Sequence, residues 1–214
     1  MELTLYYAPI ACSIAPYITL TEAGAAFDVK PVNIFKGEQL TPEFLSVNPK
    51  HKVPAMVCDG KVLTENVAIH TWVAQTFPKA NILPVDEWQR LQAQSVLAWC
   101  SAGIHPFLTR MNKPERVCDT PGSEQRVRQL ATEALFENYA IADSMLADRE
   151  YFFEHFTAAD AHFFWAFRRG GLFKLDLSKF PHCVAHLERM QRRESVKKAL
   201  AYEQEVLDAF GMTL

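Results

Sequence analysis

The chain has 214 residues, of which 49% are hydrophobic and 22% are charged. This composition is typical of a globular protein and excludes a disordered or collagen-like chain. The length suits one large domain or two small ones. The formal net charge of −3 provides no broad basic surface for nucleic acid or for an anionic membrane.

The five cysteines form no recognisable framework. Their number is odd, no CxxC pair occurs and the chain is not small, so we expect neither a disulfide scaffold nor a structural zinc cluster. No Lys or Arg precedes Lys30, whereas a secretory signal needs a positively charged leading segment. No apolar run reaches the ~18 residues of a membrane span. We therefore predict a soluble, cytoplasmic protein without a metal site.

The first part of the chain alternates strand and helix patterns. We predict a strand over Leu3–Tyr7, a helix over 13–23, a strand over 27–34, a short helix over 42–47, strands over 53–58 and 61–63, and a helix over 67–77. The last two strands are joined at Asp59-Gly60, which is a strong hairpin signal. Alternation of this kind predicts a mixed sheet covered by helices, so this part is α/β.

Only helical patterns follow a short proline-bearing connection. Apolar residues recur every three or four positions over 97–111 and 131–146, and further helices are predicted at roughly 158–168, 179–191 and 194–209. We place an α/β domain at residues 1–78, a linker at 79–86 and an all-α domain at 87–214.

Cys12 and Ser13 follow the first strand and open the first helix. The N-terminus of a helix carries partial positive charge and free N–H groups, so a thiolate there is stabilised and we expect a lowered pKa for Cys12. Cys12 is then a reactive nucleophile or a contact to another thiolate; the alternative is a buried, inert cysteine. No resolving cysteine follows at the CxxC spacing, which disfavours dithiol chemistry.

Two further junctions carry candidate binding groups. If the Val53-Pro54 bond is cis, the backbone groups of Val53 face outward and can pair with a bound peptide; if it is trans, this is an ordinary strand start. Where the last strand gives way to a helix, Asn66 suits a carboxylate and Glu65 suits an ammonium, although simple helix capping is the alternative. Because each lies at a strand–helix junction or a strand start, we expect all of these positions to meet at one edge of a single sheet.

Four segments carry a resemblance to a known family. They are YYAPIACSIAPYITLTEAG, NPKHKVPAM, LTENVAIHTWVA and FTAADAHFFWAF, spread over the whole chain. The chain resembles a glutathione transferase, and its N-terminal part is similar to the bacterial beta class. The resemblance implies a thioredoxin-like domain followed by an all-helical domain, a homodimer, and glutathione as co-substrate, with no metal, nucleic acid or membrane partner.

The resemblance also implies roles for individual residues. Cys12 meets the glutathione sulfur, Ser13 is its hydroxyl neighbour, and His105 reaches the site from the second domain; these three are the candidate catalytic residues. The implied glutathione-binding residues are Cys12, Lys36, Lys52, Val53, Glu65, Asn66 and His105. Val53 precedes the family's cis-proline, Glu65 and Asn66 hold the γ-glutamyl group, and Lys36 lies near the glycyl carboxylate. The chain departs from the family pattern at Lys52, Asn66 and Ala98.

His105 also has an interpretation independent of the resemblance. It lies in a helical pattern directly before Pro106, which removes a helix hydrogen bond and kinks the helix. The kink either tilts His105 into the cleft between the domains or leaves it packed as an ordinary helix residue.

Other polar residues receive structural interpretations. Thr157 and Asp160 are predicted to form a helix capping box. We expect His182 and His186 to be a surface pair, and the arginine pairs 168–169 and 192–193 to be solvated.

The predicted function is that of an enzyme, a glutathione transferase that conjugates glutathione to small, electrophilic, apolar compounds in detoxification. Cys12 adds a glutathione-dependent thiol–disulfide activity as a second route. The alternative is a non-catalytic ligand-binding or regulatory protein, motivated by Lys52 and Ala98.

Overall fold

The computed structural model describes residues 1–213. Its four strands form one mixed sheet in the order β2-β1-β3-β4. Strand β1 (Leu3–Tyr7) pairs parallel with β2 (Asp28–Pro31) and antiparallel with β3 (Ala55–Cys58), which pairs antiparallel with β4 (Lys61–Thr64). The hairpin between β3 and β4 turns at Asp59 and Gly60, which both have positive φ (46° and 78°). Strand β2 ends earlier than predicted, at Pro31, because its partner β1 ends at Tyr7; the Val32 N–H makes the last bond, to the Tyr7 carbonyl at 2.7 Å.

Three helices cover the sheet. They are α1 (Ile14–Glu22), α2 (Pro42–Val47) and α3 (Asn66–Thr76). Leu5 of β1 is buried with Ile18 of α1 and Ile69 of α3, whereas the neighbouring Tyr6 packs edge-on against Phe44 of α2. Because successive strand residues point to opposite faces, α1 and α3 cover one face of the sheet and α2 the other.

Six further α-helices follow within residues 1–213. They are α4 (Glu87–Trp99), α5 (His105–Asn112), α6 (Glu124–Met145), α7 (Ala158–Leu172), α8 (Pro181–Arg192) and α9 (Glu194–Ala209). The architecture changes between Thr76 and Glu87, the interval in which the sequence places its linker. Helix α7 is buried on nearly all sides and packs against α1, α4 and α8, so one hydrophobic core spans both parts. The predicted α/β and all-α fold class is confirmed.

The predicted helix over 97–111 is interrupted. A wide π-helical turn at Cys100–Ile104 separates α4 from α5, and Pro106 follows in the first turn of α5. The irregularity therefore starts before the proline, where the wide turn accommodates the missing hydrogen bond. Gly103 permits this turn, since a Cβ atom there would lie only 2.4 Å from Cδ1 of Trp99.

The start of α7 carries the predicted capping box. Asp160 accepts a hydrogen bond from the backbone N–H of Thr157 at 2.8 Å, and both side chains take part. Asp160 also holds Nε2 of His186 at 3.0 Å, and His186 is buried. The expectation of a surface pair is therefore wrong for His186, because the buried capping carboxylate supplies it with a partner.

No helix within residues 1–213 has both the length and the apolar character needed to cross a membrane.

Candidate functional site

A cavity of about 430 Å³ lies between the sheet domain and the helical domain, at the end of β1 and the start of α1. From the first domain its walls include Cys12, Lys52 and Val53, and from the helical domain His105 and Arg169. Four predicted site residues, Cys12, Lys52, Val53 and His105, are therefore brought together around one space.

Cys12 lies at the cavity wall, only 5% exposed, just before α1. Its thiol donates a hydrogen bond to the carbonyl oxygen of Val53 at 3.5 Å. Burial raises the pKa of Cys12 to about 12, although contacts from Asn66 and from its own backbone N–H oppose the rise. The predicted lowering of this pKa is wrong, because desolvation outweighs the helix N-terminus. Cys12 is a protonated hydrogen-bond donor at neutral pH.

Ser13 is placed beneath the cavity rather than in its wall. It is fully buried, and its hydroxyl accepts a hydrogen bond from the Ala8 N–H and donates one to the Ala8 carbonyl, both at 3.0 Å. Its hydrogen-bonding capacity is thus directed at the loop between β1 and α1. The geometry gives Ser13 a role in holding this loop, in contrast to the predicted catalytic one.

The same loop is held from the opposite side by the helical domain. Ile10 has a φ of 66°, which is costly for a β-branched residue. Its N–H donates to Oε2 of Glu203 at 2.7 Å, and its carbonyl accepts from Nε1 of Trp165 at 3.0 Å. Glu203 is buried and pairs with Arg168 at 2.5 Å. Arg168 is thus an interior ion-pair partner, and its predicted solvation is wrong.

His105 reaches the cavity as the resemblance implies. Its ring meets that of Trp165 edge-on, with centroids 4.6 Å apart. Burial lowers the pKa of His105 to about 4, and the nearby charges of Lys52 and Arg169 act in the same direction. His105 is therefore a neutral imidazole at neutral pH, able to donate from one ring nitrogen and accept at the other.

Glu65 and Asn66 start α3, as predicted, but neither lines the cavity. Glu65 is exposed and forms a salt bridge with Lys50. Asn66 is buried, with Nδ2 3.4 Å from Nε2 of His162 and with Oδ1 lacking a hydrogen-bond partner among residues 1–213. Lys36 is exposed and also stands outside the wall, although its neighbours in the chain line it.

Cations dominate the charged groups of the cavity wall. Lys52, Lys113, Arg116 and Arg169 line it, and no Asp or Glu within residues 1–213 does. Burial and the adjacent charge of Arg168 lower the pKa of Arg169 to about 10, which leaves it charged at neutral pH. Arg169 was predicted to be solvated, and the sequence analysis did not identify it as a residue of the cavity wall. The available signal was the apolar run before it, since a helix that is apolar on all sides is buried.

The described part of the chain contains no group of three or more His, Cys, Asp or Glu side chains arranged to hold a metal ion.

Known proteins with similar sequences identify the family. The family model "Glutathione S-transferase, N-terminal domain" matches residues 1–75. Glutathione S-transferase GstA of Escherichia coli O157:H7 is 34% identical over 204 residues, which cover 93% of this chain and 98% of GstA. Maleylacetoacetate isomerase of Mus musculus is 26% identical over 184 residues, covering 84% and 82% of the two chains.

Solved structures agree with this similarity. A bacterial beta class glutathione S-transferase from Sphingomonas chungbukensis has a TM-score of 0.82 at 33% identity, covering 94% of this chain and 98% of its own. A Sulfitobacter glutathione transferase homologue, solved with bound glutathione, has a TM-score of 0.85 at 25% identity and covers 99% of both chains.

A thioredoxin-like sheet domain joined to a mostly helical domain is the architecture of the class of protein to which these relatives belong. The chain belongs to the glutathione S-transferase family and is a glutathione transferase, as the sequence resemblance predicted. The alternative of a non-catalytic protein is not favoured.

Proposed function

We propose that the cavity binds glutathione and that the protein conjugates it to small electrophilic compounds. The observation that carries the proposal is a buried, protonated thiol in the wall of a cationic cavity, beside the backbone of Val53. Glutathione bound to the Sulfitobacter homologue supports the choice of ligand. Relatives named as a glutathione S-transferase and as a maleylacetoacetate isomerase both match, so the reaction itself is part of the proposal.

Glutathione has complementary groups for the residues around this cavity. Its sulfur faces Cys12, and its cysteinyl backbone pairs with the N–H and C=O of Val53 as an added strand would. Its ammonium replaces Lys50 as the partner of the Glu65 carboxylate. Its γ-glutamyl carboxylate binds at the N-terminus of α3, at Asn66. The glycyl carboxylate extends towards the side where Lys36 and Lys52 provide positive charge.

The chemistry follows from the state of Cys12. Glutathione loses its thiol proton to solvent, and the Cys12 S–H group and the N-terminus of α1 stabilise the resulting thiolate. The thiolate attacks the electrophilic carbon, a sulfur–carbon bond forms, and the leaving group departs with its electron pair. His105 contributes as a neutral hydrogen-bonding group. The second route, a mixed disulfide on Cys12, needs its thiolate, which a pKa of about 12 makes scarce at neutral pH.

Replacement of Cys12 by Ala tests both routes. We expect glutathione conjugation to lose at least about tenfold in kcat, because a donor to the developing thiolate is removed. Cys12→Ser, which keeps a donor, should retain more activity. The matched control is Cys58→Ala, at a half-buried cysteine at the end of β3 outside the cavity wall.

The outcomes separate the mechanisms. Loss of disulfide reduction with full conjugation would show that Cys12 serves the thiol route alone. No change in either activity would remove Cys12 from catalysis. If calorimetry detects no glutathione binding at millimolar concentration, the proposed function itself is wrong.

The proposal includes a homodimer. Val85 lies just before α4, Trp88 and Leu91 lie three residues apart in its first turns, and Val85 and Trp88 are 82% and 68% exposed. Large apolar side chains grouped on one face of a helix are typical of an interaction surface.

A further inference from the structure

The two domains contribute different numbers of cationic side chains to the cavity wall. The first domain contributes Lys52, while the helical domain contributes three cations, Lys113, Arg116 and Arg169. Within residues 1–213 no Asp or Glu side chain joins them in the wall. The helical-domain side of the cavity therefore carries the larger share of positive charge.

Arg169 is the most confined of these cations. Arg168, directly before it, turns inward to the buried carboxylate of Glu203, whereas Arg169 turns into the cavity. Its guanidinium lies over the ring of Phe173, with the central carbon 4.6 Å from the ring centroid. No carboxylate of a residue in 1–213 forms a salt bridge with it. A partly desolvated cation without a counter-charge favours an anionic ligand.

Glutathione does not account for all of this charge. Its γ-glutamyl carboxylate and ammonium are directed to the start of α3, and its glycyl carboxylate to the side of Lys36 and Lys52. Arg169 lies near His105, since its charge contributes to lowering the pKa of that imidazole, and the His105 ring in turn meets Trp165 edge-on. An aromatic ring that stacks near Trp165 would place an attached anionic group within reach of Arg169.

We infer that the second substrate is an electrophile that carries a carboxylate or an equivalent anionic group, and that Arg169 binds this group. The inference rests on the proposed function and changes its predicted substrate class from purely apolar to anionic. Arg116 and Lys113, both exposed, extend the positive surface around the cavity. Arg169 thereby orients the reacting carbon towards the thiolate near Cys12.

A matched pair of substrates tests this inference in the full-length enzyme. The pair is a chloro-dinitrobenzoate and the corresponding neutral benzamide. In both, the glutathione thiolate forms a bond to the ring carbon, chloride leaves with the bonding electron pair, and the thiol proton passes to solvent. Each kcat/KM is divided by the rate constant of the uncatalysed reaction between that substrate and glutathione. This removes the difference in intrinsic reactivity between the two substrates.

We expect the normalised kcat/KM to favour the benzoate by at least about tenfold, the size expected for a hydrogen bond to a charged group. Arg169→Gln should remove this preference by lowering benzoate turnover far more than benzamide turnover, whereas Arg169→Lys should retain part of it. Arg192→Gln is the control, because Arg192 is 78% exposed on α8 and the variant changes the net charge equally. If Arg169→Gln fails to fold, Arg116→Gln should still reduce the preference.

Three results would overturn the inference. The first is equal turnover of the two substrates by the unmodified enzyme. The second is an equal fall for both substrates in Arg169→Gln, which would indicate a structural role. The third is a raised KM for glutathione in Arg169→Gln with the benzoate preference intact, which would assign Arg169 to glutathione. Turnover of neither substrate, nor of neutral chlorodinitrobenzene, would instead refute the proposed function.

Discussion

The contact between Glu203 and the loop before Cys12 allows a quantitative prediction. Glu203→Ala removes the acceptor for the Ile10 N–H and for the Tyr7 hydroxyl, which lie 2.7 Å and 3.4 Å from Oε2. It also leaves Arg168, whose side chain is 15% exposed, without its partner. Both the ion pair of the helical domain and the shape of the loop therefore depend on one carboxylate.

The expected loss of stability follows from this burial. Removing one partner of a buried ion pair typically costs about 3–5 kcal/mol, because the other charge stays desolvated. Arg168 keeps some access to water, so we expect the lower end, about 3 kcal/mol in the free energy of unfolding. Ile10 is then free to leave its left-handed conformation, which costs about 1–3 kcal/mol to maintain. Cys12 should shift with it, and the KM for glutathione should rise.

Urea unfolding and steady-state conjugation measure the two effects. Glu203→Gln keeps an acceptor for Ile10 and should lose less stability than Glu203→Ala. Glu194→Ala is the control, since Glu194 pairs with Lys197 at the protein surface and its loss should be hardly measurable. If Glu203→Ala unfolds at the same urea concentration as the control, or binds glutathione unchanged, the stabilising role of this carboxylate is refuted.

Three further predictions concern thiols, acid and assembly. Hydrogen bonds from Ser123 and Thr120 lower the pKa of Cys118, whereas burial raises the pKa of Cys12. Iodoacetamide should therefore modify Cys118 before Cys12, as followed by mass spectrometry. The reverse order would contradict the burial argument. Burial lowers the pKa of His70 to about 3 and of His105 to about 4. Below about pH 6.5 the unfolded chain binds more protons than the folded chain at these two histidines. The free energy of unfolding should therefore fall as the pH is lowered from 6.5 towards 3–4. A urea midpoint that does not change over this pH range would disprove this. Trp88→Glu should shift the mass measured by light scattering from dimer to monomer; an unchanged mass would exclude this face.

Local sequence patterns predicted most elements of the fold. Short runs rich in β-forming residues predicted the strands, and the Asp59-Gly60 pair predicted the hairpin. The π-helical turn at Cys100–Ile104 was missed because a single wide turn barely disturbs an apolar spacing of three to four residues. Its signals were the Gly103 that admits the Trp99 ring and the proline that follows.

The candidate site was predicted only in part, because local patterns locate residues in the chain but do not show how deeply they are buried. The position of Cys12 before a helix is a local property, so the sequence located it. Its pKa depends on burial by residues distant in the chain, and no local pattern reports that burial. The contacts to Ile10 come from Trp165 and Glu203, 155 and 193 positions away, and a sequence without structure offers no signal for such pairings.

These long-range contacts assign the control of the thiol to the helical domain. Helices α7 and α9 hold the loop through Trp165 and Glu203, and that loop leads directly into Cys12. The close packing that keeps Cys12 only 5% exposed also raises its pKa. A helical domain that held this loop less tightly would expose the thiol, lower its pKa and favour a nucleophilic Cys12. In the observed geometry, the sheet domain supplies the thiol, the packing around it keeps it protonated, and it donates its hydrogen bond to the carbonyl oxygen of Val53.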